Sequence, residues 1–175
     1  FSKNIFIQVF SWNLNKFDLD DLRRELVEIF PYANISWTTT DWEIIWWKVT
    51  KNQIIISISI FENTLVKTKM YSFKNSNSLS IFKKIQKDLI TSDTKVLILF
   101  SDWLNDIEGV LWYIYKNYPN IHVSGWKSWD NYNFINPYIF DKDKISNSWI
   151  IITSLSNKDL QVYTNYNFSW TKIWK

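Results

Sequence analysis

Hydroxyls and carboxylates crowd the stretch Ile35 to Val49 (ISWTTTDWEIIWWKV), and a second polar stretch runs from Gly125 to Asn131 (GWKSWDN). Thr38, Thr39 and Thr40 follow a short apolar run, with Asp41 and Glu43 next, so donors and acceptors gather where a strand ends and a turn begins. We read this as the loop that carries the function. Its chemistry is recognition of a small polar ligand: the threonine hydroxyls supply hydrogen bonds, and the Glu43 carboxylate orders the loop or receives an ammonium group. In the second stretch Gly125, Ser128, Asp130 and Asn131 form a turn that can present backbone N–H groups to a carboxylate. The plainer reading is structural. Threonines at strand ends satisfy local backbone groups, Glu43 is a solvated strand residue, and Asp130 and Asn131 are ordinary loop formers.

Catalysis and metal binding find less support. The chain has no Cys and a single His122, which excludes thiolate nucleophiles, Cys-based zinc sites and multi-histidine metal sites. No acid/base pair with a recognisable spacing is present, so the expectation is a non-enzyme without metal or cofactor. A hydrolase built on His122 with Ser124 or Ser128 and Asp130 is the alternative, but the sequence has no Gly-x-Ser-x-Gly elbow. A phosphate-binding loop is rejected because Ile121 stands where its first glycine must be. The net charge of +3 comes from dispersed lysines and argues little for nucleic acid. An aromatic stacking platform for single strands depends wholly on the tryptophans.

The 175 residues, 46% of them hydrophobic, suffice for one domain with a core. The longest apolar run, Ile54 to Phe61, is broken by Ser57 and Ser59 and falls far short of the ~20 residues that span a bilayer. The expected location is the cytoplasm. The chain begins at Phe1, with no signal pattern, and reads as trimmed from something longer.

These elements must position the polar stretches. Asn4 to Phe10 reads as a strand, and Asp18 caps a helix to Phe30 with Leu19, Leu22, Leu26 and Ile29 on one face. Ala33 to Trp37 is a short strand leading into the threonines, and Glu43 to Val49 is another. Gln53 to Phe61 and Leu65 to Phe73 alternate apolar and polar residues and are expected to pair across Glu62-Asn63-Thr64. A helix from Ser76 or Ser78 to Ile90 turns Leu79, Phe82, Ile85 and Leu89 inward. Lys95 to Ser101 is a continuous apolar strand, with Asp102 at its end, and Asp106 to Tyr118 is the helix leaving it. Ile121 to Ser124 runs into the second polar stretch. Phe134 to Phe140 and Ile145 to Leu155 make a hairpin over Asp141 to Lys144, and Leu160 to Tyr166 adds a last strand. The expected class is α+β: a layered mixed sheet with about three helices packed on it.

Composition holds one anomaly. The chain has 2 glycines against 12 tryptophans, where average usage would give about 12 glycines. Many tryptophans stand in turn contexts, as in Ser11-Trp12-Asn13, Asp102-Trp103-Leu104, Ser128-Trp129-Asp130 and Ser169-Trp170-Thr171. Trp37, Trp42, Trp46 and Trp47 crowd a loop that wants glycine. We read most of these as UGA codons that the source organism decodes as glycine.

With Trp read as Gly, the two polar stretches become ISGTTTDGEI and VSGGKSGDN. That pair is similar to the FIST N-terminal domain, whose pattern has a Pro-x-Ala segment, a Gly-x-Ser/Thr-Thr-x-Gly-Glu-Ile turn and a later Gly-Gly-x-Ala-Gly-Asp loop. Pro31-Tyr32-Ala33, Phe100-Ser101-Asp102 and the closing Ser169 to Trp174 extend the resemblance over nearly the whole chain. Lys127 and Ser128 depart from it, as does every Trp-for-Gly position. The resemblance implies a single FIST N-terminal-like domain over 1–175, followed in the intact protein by a second FIST domain. It also implies a sensory module that binds a small molecule, with amino acids as candidate ligands, and signals to a histidine kinase or a cyclase. The ligand residues it implies are Trp37, Thr38, Thr39, Thr40, Trp42 and Glu43 in the first stretch, and Gly125, Trp126, Ser128, Trp129, Asp130 and Asn131 in the second.

Overall fold

A computed structural model describes residues 4–12, 15–40, 43–45 (backbone only), 48–50, 53–102, 105–128 and 137–164. The chain opens with β1 (Ile5–Trp12), α1 (Lys16–Ile29) and β2 (Asn34–Thr40), in which β2 lies parallel to β1 with Phe6 opposite Asn34 and Trp12 opposite Thr40. A hairpin of β3 (Glu43–Ile45) and β4 (Lys48–Thr50) follows, then β5 (Ile54–Ile60) and β6 (Leu65–Ser72). The order continues with α2 (Ser78–Leu89), β7 (Thr94–Ser101), α3 (Ile107–Asn117) and β8 (His122–Lys127), a second parallel βαβ unit. The short β9 (Ile139–Phe140) and β10 (Ile145–Ser146) precede β11 (Trp149–Ser156).

These strands build two mixed sheets, one ordered β10-β9-β2-β1-β5 and the other β6-β11-β7-β8. Alternation along each strand explains how they stack. In β1, Ile5, Ile7 and Val9 face α1, where they meet Leu19, Leu26, Ile35, Trp37 and Phe140. The intervening Phe6 and Phe10 face the second sheet, Phe6 among Val66 and Leu155 and Phe10 edge-on to Phe100 at 5.5 Å. The far side of the second sheet, with Leu97, Leu99, Ile150 and Ile152, is covered by Ile81, Ile85, Val110 and Ile114 of α2 and α3. The result is helix, sheet, sheet, helices. It is α+β, as the sequence implied, with the sheet divided in two. Each side chain buried here contributes about 1.5–3 kcal/mol of transfer free energy.

Local signals set the helices. Asn15, rather than Asp18, is the N-cap of α1: its side chain accepts from Phe17 N (3.0 Å) and Asp18 N (3.1 Å), and Asp18 adds a negative charge to the first turn. Ile29 is exposed, and Val27 and Phe30 pack against the core under α1 at the end of the helix instead. Asn77 caps α2 through Ser80 N at 2.9 Å, and Ile81 takes the inward place expected of Leu79. Asp106 caps α3 through Gly109 N at 3.3 Å.

Glu43 to Val49 is not one strand but is divided between β3 and β4, which pair with each other, and three further strand expectations are corrected. β5 and β6 do not pair with each other: β5 lies antiparallel on β1, Ile60 opposite Ile5, and β6 antiparallel on β11, Ser72 opposite Trp149. The chain crosses between sheets at Phe61 to Thr64, and this lets Val66 and Met70 bury between the sheets while Tyr71 packs beneath α2. Secondly, β10 and β11 are separate, so the hairpin over Asp141 to Lys144 is confined to Phe140 opposite Ile145 and Ile139 opposite Ser146. Residues 134–136 of its expected first strand lie outside the described ones. Finally, residues 160–164 form no strand, and the rest of the expected last strand also lies outside the described residues.

The hairpin turn carries a testable electrostatic balance. Asp141 is buried, and its Oδ1 accepts from Asp143 N and Lys144 N, both at 2.9 Å. Burial pushes its carboxyl above the ordinary carboxylate range, against the pull of those two N–H donors. A carboxylate with a raised folded pKa contributes most below its unfolded value of 3.8, and that contribution is lost as pH rises through the folded value. At neutral pH the charge is therefore a cost while the acceptor is a gain. Asp141→Asn keeps the acceptor and is expected to match or exceed the parent's stability at pH 7. Asp141→Ala removes it and is expected to lose about 2 kcal/mol. Urea unfolding of both variants at pH 7 checks the pair; equal losses would refute it.

Candidate functional site

The second βαβ unit shapes a cavity. α3 leaves the end of β7 and returns as β8, parallel to β7 with Leu99 opposite Gly125 and Ser101 opposite Lys127. The sheet pairing is extended by Ser128 N, which donates to Ser101 O at 2.7 Å. Gly125 is required by this close approach, since a Cβ there would stand 1.8 Å from the Leu99 carbonyl oxygen. Between α3 and β8 lies a cavity of about 460 Å³ with Leu99, Ile107, Leu111 and Val123 among its walls. Lys127 Nζ reaches Glu108 Oε1 at 2.8 Å at its polar side, and this hydrogen bond holds the Glu108 carboxyl below the ordinary carboxylate range.

Ser101 also lines the cavity. It is fully buried, and its Oγ has no hydrogen-bond partner; nor does the buried Oγ of Ser128. Buried polar groups are usually satisfied; Ser36 in β2 and Ser154 in β11 are also without a partner, and Ser101 differs from all three in lining the cavity. Beside them Asp102 is fully buried and accepts from Asn105 Nδ2 at 2.6 Å on both oxygens. Ser101 was not among the sequence candidates. Its signal was position alone, at the end of a continuous apolar strand and before an acid.

The first polar stretch is placed differently from expectation. Thr38, Thr39 and Thr40 belong to β2 and are buried, not displayed on a loop. Their hydroxyls are in use: Thr39 Oγ1 accepts from Tyr138 N at 3.1 Å, Thr40 Oγ1 donates to Ser11 O at 3.3 Å, and Thr38 Oγ1 donates to Thr39 O at 3.3 Å. Trp37 is a core residue. Its ring meets Phe140 at 4.7 Å and its Nε1 donates to Ser11 Oγ at 2.7 Å. The β2–β9 pairing and the fit around the indole explain why this stretch is strand: the threonine hydroxyls and the indole N–H all find neighbours there.

The ends of the two parallel pairs lie at one end of the molecule. Phe6 clusters with Val96 and Leu155, and Phe10 with Phe100, so β1 and β7 run in the same sense and β2 and β8 end near the same pole. Thr38 to Thr40 nonetheless do not line the cavity, which lies on the α3 side of the second sheet. Of the other sequence candidates, Gly125 and Trp126 do line it. Glu43 is described only as part of β3, and Trp42, Trp129, Asp130 and Asn131 lie outside the described residues.

Asp130, the acid of the triad considered with His122, lies outside the described residues. His122 is exposed at the start of β8 and Ser128 follows its end, roughly 20 Å away along the strand. Among the described residues no group of acids and histidines could hold a metal ion, and no helix is long and apolar enough to cross a membrane. No curated protein matches the chain. The model of the FIST N domain does, over residues 5–175, which takes in both polar stretches and all the elements described. With that match over nearly its whole length, and with an α+β architecture, the chain belongs to the FIST N domain family, a family of sensory domains of signalling proteins.

Proposed function

We propose that this domain binds a small zwitterion such as an amino acid where β7 and β8 end, and passes its occupancy to a downstream signalling domain or protein such as a histidine kinase or cyclase. The observation that carries the reading is the Ser101 hydroxyl, buried, without a partner and lining a cavity of about 460 Å³. That volume suits a small molecule. Ser101 offers a hydroxyl, the apolar walls take an aliphatic side chain, and the Lys127–Glu108 pair supplies both signs of charge. Asp130, Asn131, Trp129, Trp42 and Glu43 are kept as candidate ligand residues of the same site, while the hydroxyls of Thr38, Thr39 and Thr40 support β2 from within. The site needs no cofactor or metal, and the domain acts inside the cell as one FIST N-type unit of a longer chain with a second FIST domain.

Thermal shift with a panel of free amino acids tests it, since a ligand that binds only the folded state raises Tm. Removing a hydroxyl that has no partner costs the free protein little, whereas a lost hydrogen bond to a charged group is worth about 1.5–3 kcal/mol. Ser101→Ala is therefore expected to keep the melting temperature of the free protein and to weaken ligand binding tenfold or more. Asp130→Ala should weaken binding by a similar factor, and Lys67→Ala, exposed on β6, should leave it unchanged. Equal affinities for the parent and Ser101→Ala would end the assignment.

A further inference from the structure

The first sheet ends on an open strand. Among the described residues, β5 bonds to β1 on one side and to no strand on the other. Its phase is fixed by the terminal bonds, in which Phe61 N donates to Asn4 O and Trp12 N to Gln53 O. In an antiparallel ladder hydrogen-bonded positions alternate. Gln53, Ile55, Ser57, Ser59 and Phe61 thus turn their backbone groups to β1, and Ile54, Ile56, Ile58 and Ile60 turn theirs to the open edge. The same four isoleucines are 40%, 41%, 46% and 70% exposed. They lie opposite Ser11, Val9, Ile7 and Ile5, so they continue the apolar face that α1 covers, beyond the helix.

Natural sheets protect such edges with charge, proline, bulges or short strands. β5 has none of these: between Gln53 and Phe61 every residue is Ile or Ser. The strand also reads nearly the same in both directions about Ser57, with Ile54 matching Ile60 and Ile56 matching Ile58. A twofold axis through Ser57 would therefore set Ile54 against Ile60 and Ile56 against Ile58 of another copy. All are residues whose N–H and C=O groups face outward, so each such pair can exchange two backbone hydrogen bonds. The same axis lays the two isoleucine ladders side by side on one face, between the two α1 helices.

We propose that β5 is a dimerisation strand: two copies of this chain pair antiparallel through β5, Ser57 opposite Ser57, and join their first sheets into one continuous sheet. The interface is isologous, so it closes at two copies. It is separate from the cavity on α3, which belongs to the other sheet.

Sedimentation equilibrium and cysteine cross-linking of the whole chain test it. The parent is expected at twice the 21.2 kDa chain mass, and Ile58→Lys at the single-chain mass with its Tm retained. The chain has no cysteine, so one introduced thiol reports register cleanly. Directly opposed residues of a non-hydrogen-bonded pair have Cα atoms about 4.5 Å apart, within disulfide range. Ser57→Cys should therefore give a disulfide-linked dimer under mild oxidation. Ser59→Cys places its two thiols about 13 Å apart along the strands and should not. A monomeric parent, pairing unaffected by Ile58→Lys, or cross-linking at Ser59 as efficient as at Ser57 would each overturn the proposal.

Discussion

Gly125→Ala is expected to destabilise the chain by about 3 kcal/mol or more, at or beyond the upper end of the cost of forcing atoms into a packed site. The methyl group would stand 1.8 Å from the Leu99 carbonyl oxygen and 2.7 Å from its carbonyl carbon, both backbone atoms in the middle of the β7–β8 ladder. No rotamer relieves that contact, so β8 must move away from β7. Ser128, whose N–H is tied to Ser101 O, moves with it, and the variant should lose the proposed ligand response along with stability. Gly109→Ala is the matched control. There the atoms nearest the new methyl group all belong to side chains, Ser78 Oγ at 2.6 Å and Cβ at 2.9 Å and Asp106 Oδ2 at 3.0 Å: the hydroxyl and the carboxylate can turn aside, and a small shift between α2 and α3 relieves the Cβ contact. Alanine is also the better helix former by about 1 kcal/mol, which offsets part of that shift, so the loss should be well below that of Gly125→Ala. Urea denaturation midpoints decide the matter, and similar losses in both would show that the Leu99 contact does not govern β8.

A second large effect is expected at Trp37. For the chain as recorded, Trp37→Gly should cost at least about 3–5 kcal/mol, the range for truncating a buried large aromatic. The indole is fully buried among α1 and both parallel strands, packs on Phe140, and leaves Ser11 Oγ without its N–H donor if removed. The proposal that the tryptophans are glycine in the native protein makes the opposite prediction here, a midpoint unchanged or raised. Trp112 and Trp126, 53% and 63% exposed, fit either reading. The coding DNA tests the decoding proposal directly: UGA at the tryptophan positions supports it, and UGG at most of them ends it. The protein purified from its source should in that case show almost no tryptophan fluorescence.

The elements legible in the sequence were those whose burial is written in one run of residues. Val96 to Phe100 is apolar throughout because β7 is packed on both faces, and Phe82, Ile85 and Leu89 repeat with the helical period because α2 has one packed face, although Ile81 and not Leu79 completes it. Alternation in Ile54 to Ile60 and Leu65 to Phe73 was legible too, but alternation says which residues share a face and not which strand lies alongside. Their separation into different sheets depends on β11, far along the chain. The threonines were misplaced for a related reason. A hydroxyl-rich strand end and a hydroxyl-rich loop have the same composition, and only the bonds to Tyr138 and Ser11 distinguish them. Ser101 shows the limit most plainly. The absence of a hydrogen-bond partner belongs to the packed molecule, so no residue type announces it.

The position of β11 between β6 and β7 also sets the order in which the chain can be made. β1, β2 and β5 are complete once Ile60 has been synthesised, and they can begin to pair at once. The second sheet cannot: Leu65 waits for Ser156 and Ser101 for Ile150, and until those residues leave the ribosome β6 and β7 have no strand between them. Contacts so distant in sequence form slowly, and unpaired apolar strands invite aggregation. A chain stopped before Trp149 would keep every strand of its first sheet and expose the apolar strand β7, so a strand near the end of the chain governs whether the product of translation stays in solution.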